Sequence, residues 1–255
     1  MYDLAARGAA ANEPTGQLRP GERAPQLPPM SRGQVALRLG LGAVGVVLLL
    51  CASGLVLTHL PRGMDDVDAR VDQWLAGRRT HLLDALTWAG SGSANTQSVL
   101  TVAVLAFFVL RWWLGRWYES WVVAAAVVGE LLVFLVVTAV VHRPRPPVHH
   151  LDVAPPTSSF PSGHTGAAVA VYGCLAVVLW RYLSSRTLAA VAAAVLLLVP
   201  FAVGASRLYR GMHYPTDVLA GALGGAAWLA VVLWVLLPRM PSPRAATPVA
   251  AAARA

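Results

Sequence analysis

The sequence of 255 residues contains no lysine, so all 20 of its basic residues are arginines. Charged residues of both signs make up only 13% of the chain, whereas hydrophobic residues make up 56%. Such a composition argues against a soluble domain and is typical of a protein that crosses a membrane several times. The arginines behind the formal net charge of +8 stand at the ends of apolar runs. Because they do not cluster on a polar face, we expect no nucleic-acid partner.

Cysteine is also scarce. Cys51 and Cys174 both lie inside apolar runs, which excludes a disulfide framework and a cysteine metal site and predicts two small buried side chains. The nearest approach to a metal-binding pattern is His149, His150 and Asp152, which we interpret as a loop or as a contact with lipid headgroups. The sequence therefore predicts neither a metal nor another cofactor.

Six apolar runs divide the chain. Residues 1–35 are rich in Pro, Gly and Arg and predict a disordered tail, too long for the start of an ordinary cleaved signal. A membrane crossing needs about 20 residues, so the second, shorter run must be completed by its flanking residues, which include a belt of Trp and Arg. The spans are predicted at about 35–60, 97–110, 121–141, 166–182, 188–203 and 218–237.

The segment between the first two spans is polar and carries a weak helical stripe of Val67, Val71 and Leu75. This pattern predicts a short amphipathic helix that lies at the membrane interface. The Gly-Ser-Gly-Ser sequence at 90–93 that follows is interpreted as a flexible joint.

The distribution of arginines predicts the orientation of the spans. With both termini in the cytoplasm, the two tails and the loops near 111–116 and 181–186 hold most of the arginines on the inside, as the positive-inside rule requires. The same arrangement places three unusual polar segments together at the outer face. These are residues 142–147, residues 161–164 and residues 206–217.

The segment from Ser206 to Asp217 contains two arginines, a histidine and an aspartate at a membrane boundary. Ionisable groups are expensive there and are functional candidates. We expect Asp217, in the first turn of a helix, to accept a hydrogen bond from His213. This would fix the imidazole tautomer and leave the other nitrogen free to attack. Arg207 and Arg210 would supply positive charge for an anion such as phosphate.

The other two segments also have features of an anion site. Arg143 and Arg145 alternate with prolines that stop the preceding helix, although arginines at this place could equally be membrane-edge anchors. Ser162 can cap the next helix, Gly163 allows a ligand to approach the backbone, and His164 lies in the first turn. Free N–H groups at a helix N-terminus favour phosphate.

Glu130 lies well inside the third apolar run. A buried carboxyl group must be paired, hydrogen-bonded or protonated. An interhelical partner or a protonated acid is the favoured interpretation, and a catalytic role is the alternative.

Taken together, the three segments resemble the signature motifs of the type 2 phosphatidic acid phosphatase superfamily, which includes vanadium haloperoxidases and bacterial acid phosphatases. The resemblance covers about residues 95–237. It implies a haloperoxidase-like helical bundle, hydrolysis of a phosphomonoester or diphosphate, a phosphohistidine intermediate and no metal. The matching residues are Arg145-Pro146, then Pro161-Ser162-Gly163-His164, then Ser206-Arg207 with His213 and Asp217.

The resemblance also implies a role for each matching residue. His213 would attack phosphorus, and Asp217 would orient it. His164 would protonate the leaving alkoxide and then activate water. The phosphate oxygens would be held by Arg145, Ser162, Gly163 and Arg207.

One position departs from the family pattern. The first motif normally begins with a lysine seven residues before the arginine of its Arg-Pro pair, and Thr138 stands there. A hydroxyl cannot replace that charge. We expect Arg143, or alternatively His142, to compensate, which makes Arg143 a further candidate for phosphate binding.

We therefore expect an all-α protein with a six-span transmembrane bundle that hydrolyses a lipid phosphate in the plasma membrane, with its site at the extracytoplasmic face. A lipid phosphotransferase and a non-catalytic lipid-binding or transport protein are the alternatives. A haloperoxidase is disfavoured because those relatives are soluble. The predicted regions are a cytoplasmic tail at 1–35, the first span and interfacial helix at 36–94, the catalytic membrane domain at 95–237 and a second cytoplasmic tail at 238–255.

Overall fold

The computed structural model describes residues 30–59 and 63–240, so most of the first predicted tail and nearly all of the second lie outside the described residues. All regular secondary structure within these ranges is helical. The helices are α1 (Arg32–His59), α2 (Gly63–Ala76), α3 (His81–Gly92), α4 (Thr96–Leu114), α5 (Tyr118–Val140), α6 (Gly163–Tyr182), α7 (Arg186–Tyr209) and α8 (Pro215–Leu236), which continues as a short 3₁₀ helix (Leu237–Arg239).

Six of these helices are long and apolar enough to cross a membrane, namely α1 and α4 to α8. The prediction of an all-α, six-span bundle is therefore confirmed. Helix α4 reaches spanning length because it includes the Trp and Arg residues that follow its apolar part. It begins at the cap Asn95, whose side chain accepts a hydrogen bond from the Ser98 N–H at 2.8 Å, and it ends at Gly115, where φ is +70°.

Helix α6 lies at the centre of the bundle and contacts α4, α5, α7 and α8, while α1 packs on the outside against α5 and α8. The side chains of Ala168, Val171, Cys174 and Val178 on α6 are completely buried. Spanning helices gain no hydrophobic drive from contacting each other in lipid, so small residues that allow close packing carry much of the association.

Helices α6 and α8 approach each other most closely near their N-terminal ends. A Cβ atom at Gly221 would lie 2.3 Å from the carbonyl oxygen of Ser162, and a Cβ at Gly225 would lie 2.6 Å from that of Gly166. Only glycine fits at such a backbone contact. This contact holds together the two helix N-termini that carry the second and third polar segments.

The region between the first two spans is more ordered than the sequence predicts. Helix α2 is present, as expected, but α3 replaces the predicted flexible joint at 90–93. Gly90 lies inside α3, where a Cβ would be only 2.3 Å from the Ser206 hydroxyl oxygen on α7. The glycine therefore serves close packing of α3 on α7 rather than flexibility.

Candidate active site

The three polar segments meet at one end of the bundle, around a cavity of about 500 Å³. One segment follows the C-terminal end of α5, the second opens α6, and the third joins α7 to α8. The predicted site residues whose side chains or backbone line the cavity are Arg145, Gly163, His164, Arg207 and His213. Residues that are distant in the sequence are thus brought to one place because α5, α6, α7 and α8 alternate in direction.

The imidazole of His213 is buried, and its Nδ1 lies 2.7 Å from the backbone carbonyl oxygen of Ser159. A carbonyl oxygen can only accept, so Nδ1 must carry the hydrogen and Nε2 retains its lone pair. Burial, with the positive charges of Arg207 and Arg145 nearby, holds the pKa of His213 well below its usual range. The side chain is therefore a neutral imidazole with Nε2 available as a nucleophile.

Asp217 lies in the first turn of α8, as predicted, but it does not accept the hydrogen bond of His213. The Ser159 hydroxyl donates to Asp217 Oδ2 instead, and the Tyr214 N–H donates to the same oxygen at 3.0 Å. Arg143 Nη1 lies 2.6 Å from Oδ1. The expected direct contact is thus replaced by an indirect one, in which Ser159 binds the carboxylate through its hydroxyl and the imidazole through its carbonyl.

His164 occupies the first turn of α6 and opens onto the same cavity as His213. Gly163 precedes it and also lines the cavity. A Cβ at Gly163 would lie 2.6 Å from the ring of Phe134, so the glycine allows this ring to form part of the wall. Both residues occupy the positions that the sequence predicts for them.

Ser162 differs from expectation. It is the N-cap residue of α6, but its hydroxyl lies 2.9 Å from the Thr165 hydroxyl and makes no capping hydrogen bond to the backbone. The Ser162 side chain is completely buried and does not line the cavity. Its backbone N–H donates to the carbonyl oxygen of Asp217 at 3.0 Å, so the residue ties α6 to α8.

Arg145 and Arg207 give the cavity its positive charge. Arg145 Nη1 donates to the Met212 carbonyl at 2.7 Å, and Arg207 Nη1 donates to the Ser91 hydroxyl at the same distance. Burial lowers the pKa of the Arg145 guanidinium, although Asp217 partly offsets this effect. Both side chains remain cationic because a guanidinium does not lose its proton in proteins.

Asp152 lines the cavity, whereas the sequence predicts for it a loop position or a contact with lipid headgroups. Its carboxylate bridges two arginines, with Oδ2 at 2.8 Å from Arg207 Nη1 and Oδ1 at 2.7 Å from Arg210 Nη2. Burial alone would raise the pKa of Asp152, but the hydrogen bond and charge of Arg210 and the charge of Arg207 lower it. The match between one loop acid and two arginines is the sequence signal that could have identified it.

Arg210 is buried and does not line the cavity. Besides Asp152, it binds the Leu151 carbonyl at 3.0 Å and the Thr87 hydroxyl at 3.3 Å. The sequence predicts that Arg210 supplies positive charge for an anion such as phosphate, whereas the structure pairs its guanidinium with Asp152 outside the lining of the cavity. Arg210 shares the Asp152 carboxylate with Arg207, and it connects the loop at Leu151 and Asp152 to α3.

Arg143 also lies elsewhere than expected. Its buried guanidinium binds Asp217, the Thr216 hydroxyl at 2.7 Å and Asp68 Oδ2 at 2.9 Å, and it does not line the cavity.

Thr138 does not replace the family lysine either, because its hydroxyl donates to the Phe134 and Leu135 carbonyls of its own helix. The expectation that Arg143 restores the missing charge at the phosphate site thus disagrees with the structure.

Glu130 lies in the wall of the cavity, on α5, and is only 8% exposed. A Cβ at Gly166 would be 2.3 Å from Glu130 Oε1, so α6 leaves space for this carboxyl group. From the sequence, Glu130 is expected to have an interhelical partner or to be a protonated acid. The structure places it beside the first turn of α6, within the same cavity as His164.

Among the residues that the structure describes, no group of three or more His, Cys, Asp or Glu side chains is arranged to hold a metal ion. Of His149, His150 and Asp152, the residues nearest to a metal-binding pattern in the sequence, Asp152 binds two arginines. His150 Nε2 lies 3.0 Å from the Pro146 carbonyl oxygen.

The fold and the site together define an integral membrane protein with a buried neutral imidazole, a second histidine and two cations around one cavity. Two fixed guanidinium groups beside a neutral imidazole are suited to a phosphoryl group, whose equatorial oxygens carry negative charge. This arrangement is that of a membrane phosphatase.

Comparison with known proteins agrees with this class. The sequence model of the PAP2 superfamily matches residues 119–241. The chain is 34% identical to decaprenylphosphoryl-5-phosphoribose phosphatase of Mycolicibacterium smegmatis over 175 residues, which are 65% of this chain and 84% of the relative. A second match, to the bacitracin transport permease protein BcrC of Bacillus licheniformis, is 53% identical but spans only 38 residues, which are 15% of this chain and 19% of the relative.

Two solved structures share the fold. The PAP2-type phosphatidylglycerolphosphate phosphatase from Bacillus subtilis has a TM-score of 0.66 and is 22% identical, with 75% of this chain and 94% of that chain covered. LpxE of Aquifex aeolicus has a TM-score of 0.53 and is also 22% identical, with 67% of this chain and 95% of that chain covered. The chain belongs to the PAP2 superfamily and is one of its membrane phosphatases.

Proposed function

We propose that the protein hydrolyses a lipid phosphomonoester or diphosphate through a phosphohistidine on His213. The observation that carries the proposal is the arrangement around His213 Nε2. The other ring nitrogen, Nδ1, donates to the Ser159 carbonyl, and the side chain lines the same cavity as Arg145, Arg207 and His164. A neutral imidazole beside two fixed cations is prepared for nucleophilic attack on a phosphoryl group.

In the first step, the His213 Nε2 lone pair forms a bond to phosphorus while the bond from phosphorus to the leaving oxygen breaks. His164, protonated, donates its proton to that oxygen, so the alcohol leaves neutral. In the second step, His164 removes a proton from water, and the resulting hydroxide displaces His213 and releases phosphate. Arg145 and Arg207 bind the equatorial oxygens, where stabilisation of charge contributes most to phosphoryl transfer.

The lining of the cavity favours an amphiphilic substrate. Beside the charged residues it includes the apolar side chains of Val99, Leu131 and Phe134, contributed by α4 and α5. A phosphate group can thus lie at His213 while an apolar chain extends along the spanning helices. Phosphatidate, phosphatidylglycerophosphate and polyprenyl phosphates all have this form. A polyprenyl-linked phosphoribose is the first candidate because the relative that is 34% identical is named for that substrate.

We place the active site at the extracytoplasmic face of the plasma membrane, with both termini in the cytoplasm. The distribution of arginines favours this orientation. When the functional arginines of the site are set aside, the loops at the opposite end of the bundle and the tails hold most of the basic residues. The substrate headgroup would then be reached from the outer leaflet.

A panel of lipid phosphates tests this function. The purified protein in detergent is assayed for phosphate release from decaprenylphosphoryl-5-phosphoribose, phosphatidylglycerophosphate, phosphatidate and a polyprenyl diphosphate, in EDTA, with and without an acceptor alcohol. We expect release from at least one lipid, undiminished by the chelator, with water as the acceptor. Activity that EDTA abolishes and Mg²⁺ restores would contradict the proposed chemistry. Phosphoryl transfer to the alcohol in place of release would indicate the phosphotransferase alternative.

A further inference from the structure

A continuous chain of polar contacts connects the imidazole of His213 to helix α2, which lies outside the residues matched by the superfamily. His213 Nδ1 donates to the Ser159 carbonyl at 2.7 Å, and the Ser159 hydroxyl donates to Asp217 Oδ2. Arg143 Nη1 then donates to Asp217 Oδ1 at 2.6 Å, and Nη2 of the same guanidinium donates to Asp68 Oδ2 at 2.9 Å. We call these five residues the α2 relay.

The α2 relay is buried along its whole length. Ser159 and Asp217 are completely inaccessible, and Asp68, His213 and Arg143 are 2%, 4% and 5% exposed. Hydrogen bonds between charged groups are strong in such surroundings, and an unpaired charge is costly. Each side chain in the relay is therefore held in one orientation by its neighbours.

Arg143 joins the two halves of the relay. Its planar guanidinium can bind two carboxylates at once in fixed directions, which a lysine could not do. Asp68 is itself fixed twice, because the Thr216 hydroxyl also donates to its Oδ2. The Tyr214 ring lies against the guanidinium, 4.3 Å from ring centre to Cζ. The direction in which Asp217 presents Oδ2 to Ser159 thus depends on a residue of α2.

We propose that Asp68, Arg143 and Ser159 are positioning residues for the phosphatase reaction, and that α2 is a part of the active site rather than only an interfacial helix. Asp68 and Arg143 hold the Asp217 carboxylate, and Ser159 transmits that orientation to His213. This inference rests on the proposed function of His213. It replaces a phosphate-binding role for Arg143, whose guanidinium does not line the cavity.

The first test is Asp68→Asn, which keeps an acceptor for Arg143 but removes the charge. The wild type and the variant are purified in detergent as monodisperse, folded proteins. Their kcat, normalised to the concentration of folded protein, and their KM are measured at pH 7 with the lipid of the panel that is hydrolysed fastest. We expect kcat to fall on the order of 10-fold, by analogy with metal-binding histidines, for which the loss of an outer hydrogen-bond partner costs about 10–100-fold. KM should stay within about twofold, because the phosphate ligands Arg145 and Arg207 are untouched.

The matched control is Asp72→Asn, one helical turn further along α2. Asp72 is as buried as Asp68, at 1% exposed, and neither of its carboxyl oxygens has a hydrogen-bond partner. Burial, with the charges of Asp68 and Asp217, raises the pKa of Asp72 to about 8. At pH 7 the side chain is therefore mostly the neutral acid, which asparagine imitates in size and charge. We expect kcat of this variant to equal that of the wild type.

A second variant, Ser159→Ala, removes the hydroxyl but retains the carbonyl that binds His213. It leaves the buried charges of Asp68 and Arg143 in place. Its kcat should fall to a similar extent. The kcat of the double variant Asp68→Asn/Ser159→Ala should be little lower than that of the less active single variant, because both substitutions interrupt the same relay.

Three results would overturn the inference. Asp68→Asn and Ser159→Ala could keep full kcat per folded molecule while lowering only the Tm, which would make the relay a structural brace. They could raise KM at constant kcat, which would return Arg143 to phosphate binding. The two effects on kcat could also multiply in the double variant. A wild type without activity on any lipid phosphate is a distinguishable failure, since it would overturn the proposed function first.

Discussion

Substitution of His213 by alanine is expected to remove nearly all phosphatase activity. Loss of a catalytic nucleophile costs on the order of 10³–10⁶-fold in kcat, because the covalent route is closed and only binding and charge stabilisation remain. The phosphate-binding arginines are retained in this variant, so KM should change much less. The measurement is phosphate release from the preferred lipid by wild type and variant, normalised to folded protein in detergent.

His59→Ala is a suitable control for this experiment. His59 is exposed at the end of α1 and lies 2.8 Å, through Nδ1, from the Leu55 carbonyl oxygen of its own helix. Its removal should leave kcat unchanged. A His213→Ala variant that retained more than a tenth of the wild-type kcat would show that His213 is not the nucleophile.

Substitution of His164 by alanine is expected to depend on the leaving group. General acid catalysis typically contributes about 10²–10⁴-fold, and it matters most when the departing oxygen is a basic alkoxide. We therefore expect a loss of that size on a lipid alkyl phosphate. On an aryl phosphate such as p-nitrophenyl phosphate the loss in the first step should be much smaller, because a nitrophenolate leaves without a proton.

The informative quantity is the ratio of the two losses, measured in a single turnover so that only the first step is observed. An equal loss on alkyl and aryl phosphates would mean that His164 binds the phosphoryl group or supports the site in some other way. The predicted inequality separates a proton donor from a ligand, because a ligand would be needed equally by both substrates.

Much of the fold could be predicted from the sequence because hydrophobic length is a local property. Each spanning helix is predicted from its own run of apolar residues, and the structure confirms all six. The positions of Arg145, His164, Arg207 and His213 could also be predicted, because each follows or opens a spanning helix at the same end of the bundle. The alternation of helix direction then brings them together.

The contacts among the site residues could not be predicted in the same way. Arg143 and Asp68 are 75 positions apart, and the choice of Asp68 over other acids depends on how α2 packs against the ends of the bundle. The position of Asp217 in the first turn of α8 predicts a contact with His213, but nothing local in the sequence indicates that Ser159 lies between them. The lysine that is missing at Thr138 predicts a compensating charge from Arg143 at the phosphate site, whereas in the structure the Arg143 guanidinium pairs with two buried carboxylates.

Glycine serves two purposes that look alike in a sequence, a flexible joint and a close contact between helices. Gly90 belongs to a stretch whose composition is typical of a flexible joint, yet it lies in α3, close to Ser206. Gly221 and Gly225 lie in an apolar run and make the close contact between α6 and α8. Only the neighbouring helix, which the sequence does not identify, distinguishes flexibility from close packing.

The central claim, that phosphate passes through His213, is tested most directly by trapping the intermediate. The purified enzyme is mixed with lipid substrate labelled in the reacting phosphate and quenched with alkali within the first turnover, and the peptide that contains residues 211–217 is analysed by mass spectrometry. We predict an acid-labile, base-stable phosphoryl group on His213 that is absent from His213→Ala. Label that persists in His213→Ala, or that is found on another residue of the wild type, would contradict the account.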